Sequence, residues 1–89
     1  MTDVERELIE HALGLQKRNG PGRYSVRWAY RNYFAAGATD AVVWSSMANK
    51  GWARSLGLRA TDGFELFAVT PAGMEAADVL GYVKRSMRK

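Results

Sequence analysis

Arg23, Arg27 and Arg31 recur at intervals of four in a stretch that also holds Tyr24, Trp28 and Tyr30 and contains no acid. A guanidinium presents a rigid fork of donors that matches a phosphate, and rings set between such forks can stack on bases. The spacing of four lets the three arginines share one exposed side whether the segment is a strand or a helix. With Lys17 and Arg18 the stretch 17–31 carries +5. A chain of 89 residues with only three Phe nevertheless needs aromatic side chains inside, so Tyr24, Trp28 and Tyr30 are expected mainly in the core. Where exposed, Tyr, Trp and Arg would equally suit a protein interface.

Other chemistry finds little material. The chain has no cysteine, which removes disulfides, thiol nucleophiles, zinc fingers and iron–sulfur sites together. The single histidine, His11, has acids only as helix neighbours and is expected as a partly buried edge residue. Glu75 and Asp78 share a helix face at a spacing of three, the pattern of a solvated edge. Gly20-Pro21-Gly22 lacks the strand, the lysine and the spacing of a phosphate loop. No catalytic set, metal site or cofactor is expected, and the chain reads as a binding protein rather than an enzyme.

Charge is distributed in blocks. Residues 1–16 carry Asp3, Glu5, Glu7 and Glu10 against Arg6, and residues 63–78 carry Glu65, Glu75 and Asp78. The tail, about 84–89, adds Lys84, Arg85, Arg88 and Lys89, and the whole chain is at +4. Such a distribution favours a phosphate backbone or an acidic protein surface through long-range attraction. At 47% hydrophobic and 25% charged the composition is that of a globular chain, and 89 residues suffice for one domain, 1–89. No apolar run approaches the ~18 residues of a membrane span and no signal-peptide pattern opens the chain, so a cytoplasmic location is expected.

The elements that must position these residues follow from local patterns. Thr2 and Glu5 form a capping box, and Val4, Leu8, Ala12 and Leu15 with Ile9 make an apolar face on a helix that runs to Lys17 and Arg18 and stops at Asn19-Gly20-Pro21-Gly22. In 23–37, alternation of Tyr24, Val26, Trp28 and Tyr30 favours a strand at the start with a turn or short helix after it, although a helical reading also fits. A second helix is expected over about 40–50, capped by Thr39 or Asp40 and ended by Gly51 in the left-handed conformation. Ala41, Val43, Trp44, Met47 and Ala48 should face the core, with Val42, Ser45, Ser46 and Asn49 opposite. A hairpin of 57–61 and 64–69 should turn at Asp62-Gly63. Thr70 and Pro71 then open a last helix that Ala72, Glu75, Ala76, Val79, Leu80 and Val83 carry to the tail.

Met47-Ala48-Asn49-Lys50-Gly51-Trp52 and Phe67-Ala68-Val69-Thr70-Pro71-Ala72-Gly73 resemble the helix end and wing exit of winged-helix regulators of the MarR and PadR type. With Tyr30-Arg31-Asn32-Tyr33-Phe34 the run is also similar to small uncharacterised phage and prophage proteins. The resemblance implies an α+β, winged-helix-like domain of three or so helices plus a β-hairpin wing, of phage origin, binding nucleic acid in a regulatory role. Arg23, Arg27, Arg31, Lys50, Arg54 and Arg59 would contact DNA phosphates, Arg59 from the wing beside the minor groove. Ser45, Ser46 and Asn49 would face the bases, a set poor in long donors. A full motif also needs a separate helix just before the recognition helix, which 24–37 does not obviously supply. Val79, Leu80 and Val83 are the candidate homodimer seam. The rival reading is a phage-encoded inhibitor that docks the same fold on an acidic surface of a host factor or defence complex.

Overall fold

The Thr2 hydroxyl accepts a hydrogen bond from the Glu5 amide (3.1 Å) while the Glu5 carboxylate accepts one from the Thr2 amide (2.8 Å), the reciprocal cap expected at the chain's start. The computed structural model describes residues 1–59 and 61–88, and in it this cap opens helix α1, Asp3–Leu13. The helix stops before Lys17 and Arg18, because Gly14 turns left-handed (φ +74) and its amide closes on the Glu10 and His11 carbonyls. A Cβ at Gly14 would also collide with the Tyr30 ring. The buried face is rotated from the expected one: Ile9, Ala12 and Leu13 are inside with Glu5 and Glu10, Val4 is exposed and Leu8 is half-buried. Partners elsewhere in the chain draw the two acids in, Lys50 to Glu5 and Tyr24 to Glu10.

The expected strand at the start of 23–37 is absent. Only Lys17 and Tyr24 form an isolated bridge, and strand β1, Phe34–Ala36, forms at the far end instead. The reason lies in the backbone donors between them, which find scattered partners rather than one ladder. Ser25 donates to the Gln16 carbonyl, Ala29 to Tyr82, Tyr30 to Leu13 and Tyr33 to Ala12. The segment is a strap across the end of α1, and it contains no helix.

Helix α2, Ala38–Asn49, starts slightly earlier than expected, with Gly37 and not Thr39 or Asp40 at its cap. Trp44 and Met47 are buried, Ala41, Val43 and Ala48 pack beside them, and Val42, Ser45, Ser46 and Asn49 are exposed, as the helical wheel predicts. Gly51 leaves the helix at φ +79. Strand β2, Ala53–Leu58, begins well before the expected 57–61, of which Ala60 lies outside the described residues; Lys89 of the basic tail lies outside them too. Strand β3, Glu65–Val69, pairs antiparallel with both others, giving the order β1-β3-β2. The hairpin turns through Asp62-Gly63, but in a longer loop closed by the Arg59 amide on the Phe64 carbonyl (2.8 Å). The register slips between Ser55 and Gly57, so Leu56 is a bulged residue on the edge strand.

Thr70 caps helix α3, Pro71–Ala76, with Pro71 in the first turn, as expected. The helix does not continue to the tail. Asp78 turns left-handed (φ 58), and Leu80–Tyr82 and Arg85–Met87 form single 3₁₀ turns. Val79 and Val83 are wholly buried in the protomer's own core and Leu80 packs against it, so the proposed dimer seam is not presented on a helix face. That core is centred on Trp44, which stacks on Phe67 (5.7 Å) and leans on Phe34 (5.4 Å), with Ile9, Leu13, Met47, Val69 and Met74 around it. Each such side chain stabilises the fold by roughly 1.5–3 kcal/mol on burial. The architecture is α+β: three α-helices and a three-stranded antiparallel sheet with a hairpin wing among the described residues. It is winged-helix-like in sheet order and lacks the separate helix before α2.

Candidate nucleic-acid interface

Two arginines of the basic stripe fasten the strap at its ends. Arg23 donates to the Asp78 carbonyl (2.7 Å) and pairs with the Asp78 carboxylate (3.3 Å). Arg31 donates through Nε and Nη2 to the His11 carbonyl (3.2 and 2.7 Å), the same oxygen that accepts from the Gly14 amide at the end of α1. Tyr24 is the buried anchor between them: its hydroxyl donates to Glu10 (2.5 Å) and its ring meets Tyr82 edge-on (4.8 Å). Burial, and then the Glu10 carboxylate, push the Tyr24 phenol well above its usual pKa, so it stays protonated and donating.

Between those ends Arg27 and Trp28 are exposed, flanked by Val26, which packs against the core, and by buried Ala29. The Ala29 amide donates to the Tyr82 carbonyl (2.7 Å) and sets Trp28 against the tail. Arg27 lies 5.6 Å from the Trp28 ring centre and Lys84 5.8 Å from it. Two basic blocks distant in sequence thereby meet on one exposed indole. Arg31 repeats the pattern, 5.4 Å from the Tyr30 ring and 6.0 Å from Tyr33.

The aromatic residues of the strap divide differently from expectation. Tyr24 is core, but Trp28 is 36%, Tyr30 63% and Tyr33 53% exposed. Counting aromatics against a small core failed here because Trp44, Phe67 and Phe34 already fill it. Trp28 and Tyr30, weighed in the sequence as stacking residues but expected mainly in the core, are on the surface, and Lys84 and Tyr33 join them from outside the expected cluster. His11 is exposed, its ring edge-on to Phe34 (5.1 Å). Beside it His11, Arg31, Tyr33, Phe34 and Ala35 line a cleft of about 210 Å³.

Comparison with family models, curated proteins and solved structures finds no match to this chain.

The remaining candidates are held on α2, the wing and the residues that join them. Lys50 is paired with Glu5 (3.1 Å) and lies 4.9 Å from the Trp52 ring centre. Arg59 is paired with Asp62 and lies over Phe64 (5.8 Å) at the wing. That pair holds Asp62 below the usual carboxylate range, with the Phe64 amide assisting. Arg54 is exposed on β2, where it stands opposite Ala68. Ser45, Ser46 and Asn49 stay exposed on α2 with Val42 among them, and among the described residues no helix lies between β1 and α2 to brace it in a groove. Of the nine expected contact residues, Arg23, Arg31, Lys50 and Arg59 therefore already have acceptors, whereas Arg27 and Arg54 show no ion pair or side-chain hydrogen bond among the described residues. No group of three or more His, Asp or Glu among the described residues can hold a metal. No helix among them is long and apolar enough to cross a membrane.

Proposed function

We propose that the protein binds nucleic acid by phosphate contact through the strap and the tail, as a small regulatory protein of phage or prophage origin working in the cytoplasm of a bacterial host. The observation that carries this reading is the convergence of Arg27 and Lys84 on exposed Trp28, joined by the Ala29–Tyr82 backbone bond. Cations held close together on a rigid surface neutralise neighbouring phosphates and release their counterions. Lys17, Arg18 and Arg85 are exposed on the same two basic segments and extend the field. Sequence reading from α2 is a minor part of the proposal, since its face offers two serines, one asparagine and a valine to a groove.

The test is fluorescence anisotropy of a random duplex at about 50 and 200 mM salt, the range in which phosphate contact declines steeply. Arg27→Gln with Lys84→Gln is expected to weaken binding and to lower the salt slope by about 2, one unit per lost phosphate contact. No binding at the lower salt ends the reading. The rival, a protein-binding inhibitor, draws on one observation of its own: Leu56, Leu58 and Phe64 are exposed together on the wing and its edge strand. Host-protein binding unchanged by Arg27→Gln and Lys84→Gln would favour it.

A further inference from the structure

We infer that the nucleic acid taken by this surface is unpaired, a single strand whose bases stack on Trp28, Tyr30 and Tyr33 while Arg27, Lys84 and the Nη1 of Arg31, the nitrogen not bonded to the His11 carbonyl, hold its phosphates. The inference rests on the phosphate-binding reading above and names its substrate class. Three exposed rings lie within six residues of chain that has no regular secondary structure from Arg27 to Tyr33. Tyr30 and Tyr33 stand on either side of Arg31, which lies within 5.4 and 6.0 Å of their ring centres, and Trp28 is two residues before Tyr30. Each ring has a cation within 6.0 Å of its centre. Aromatic faces alternating with cations along one line are what an unpaired strand requires, since every base has a face to stack and a phosphate to neutralise.

A duplex cannot use this surface in the same way, because its base faces are buried in its own stack and only edges show in the grooves. The cations over the rings do not block them. A guanidinium plane stacks on bases itself, and a lysine ammonium swings on a flexible stem. The cleft beside His11 extends the platform: the rings of Tyr33, Phe34 and His11 line it together with Arg31, and no acid does. A base flipped from the strand at Tyr33 enters there with its phosphate on Arg31. The neighbouring cavity of about 310 Å³, across His11 and Arg31, is lined by Glu7 and Glu10 as well as Lys17, so its charges balance and phosphate is drawn more to the Tyr33 side, where Arg31 has no acid beside it.

The experiment compares labelled oligothymidylate with a duplex, each about 20 nucleotides long, which exceeds the site sizes common for strand-binding domains. At about 50 mM salt the strand is expected to bind at least tenfold more tightly than the duplex. Trp28→Ala with Tyr33→Ala should weaken strand binding by more than about tenfold and duplex binding by less than about twofold. Tyr30 is kept because its ring packs over Gly14. Trp28→Phe with Tyr33→Phe keeps the ring faces and should keep the affinity, which separates stacking from any loss of fold. Equal or tighter duplex binding overturns the inference and leaves the phosphate-binding reading standing. Wild-type strand affinity in the alanine pair overturns it as well. Absence of binding to either probe removes both.

Discussion

Asn32 completes the sheet with a side chain. Its Nδ2 donates to the Val69 carbonyl (2.9 Å) and its Oδ1 accepts from the Val69 amide (2.8 Å), so the amide group takes the place of a strand residue ahead of the start of β1. Val69 is wholly buried, and no water can replace both bonds without opening the sheet. Asn32→Ala is expected to cost about 1–3 kcal/mol, the penalty for stranding buried backbone groups, read as a lower urea midpoint with an unchanged slope. Glu5 is the second residue with a measurable consequence. The Thr2 amide, and then Lys50, hold its carboxyl below the usual value of 4.5, although burial acts against them. A lowered folded pKa contributes stability that is fully present above the unfolded pKa and is lost as pH falls through the folded one. Wild-type protein should therefore lose stability below about pH 4.5 as this pair is protonated away. Glu5→Gln should be less stable at neutral pH, and its stability should depend less on pH in that range. Parallel wild-type and variant curves would disprove the assignment.

At the scale of elements, α3 shows how packing reverses a propensity. Replacing a helical glycine by alanine normally stabilises by about 0.5–1 kcal/mol. A Cβ at Gly73 would instead strike the Trp52 carbonyl, which already accepts from the Thr70 amide (3.1 Å) where β2 begins. Gly73→Ala is expected to destabilise by about 1–3 kcal/mol, with the loss visible in thermal unfolding. A gain would mean that α3 can move away from β2. The same distinction between near and distant partners separates what could be read from the chain alone. The cap at Thr2–Glu5, the Thr70–Pro71 start, the two faces of α2 and the Gly51 exit depend on residues a few positions apart, and all four are as expected. The strap was misread because its amides bond to Gln16, Leu13, Ala12 and Tyr82, partners that no local period announces. The end of α3 was misread for a related reason: Arg23 bonds the Ala77 and Asp78 carbonyls from across the fold. The site suffered most, since a row of arginines does not reveal which members fasten structure and which remain for a partner.

Across the whole molecule, the blocks of charge become a geometry. Two of the four acids of α1, Glu5 and Glu10, turn inward to Lys50 and Tyr24 while Asp3 and Glu7 stay exposed, and Asp78 is taken by Arg23. The basic strap and tail stay outward and adjacent, so a net charge of only +4 is concentrated where a polyanion would approach. Field and contact are separable in such an arrangement. Arg27 and Lys84 sit on the stacking ring, whereas Arg18 and Arg85 are exposed on the same two segments without lying over any of the three exposed rings. Charges outside the contact set act on diffusional encounter, and groups within it act on escape. Arg18→Gln with Arg85→Gln is therefore expected to slow association with a single strand several-fold at low salt, to leave dissociation nearly unchanged, and to lose its effect as salt rises. Trp28→Ala should do the reverse, speeding dissociation with little change in the rate of encounter. Stopped-flow fluorescence at two salt concentrations measures both rates. If Arg18→Gln with Arg85→Gln changes only dissociation, those two arginines belong to the contact itself, and the bound strand extends from the Trp28 platform over the basic surface around it.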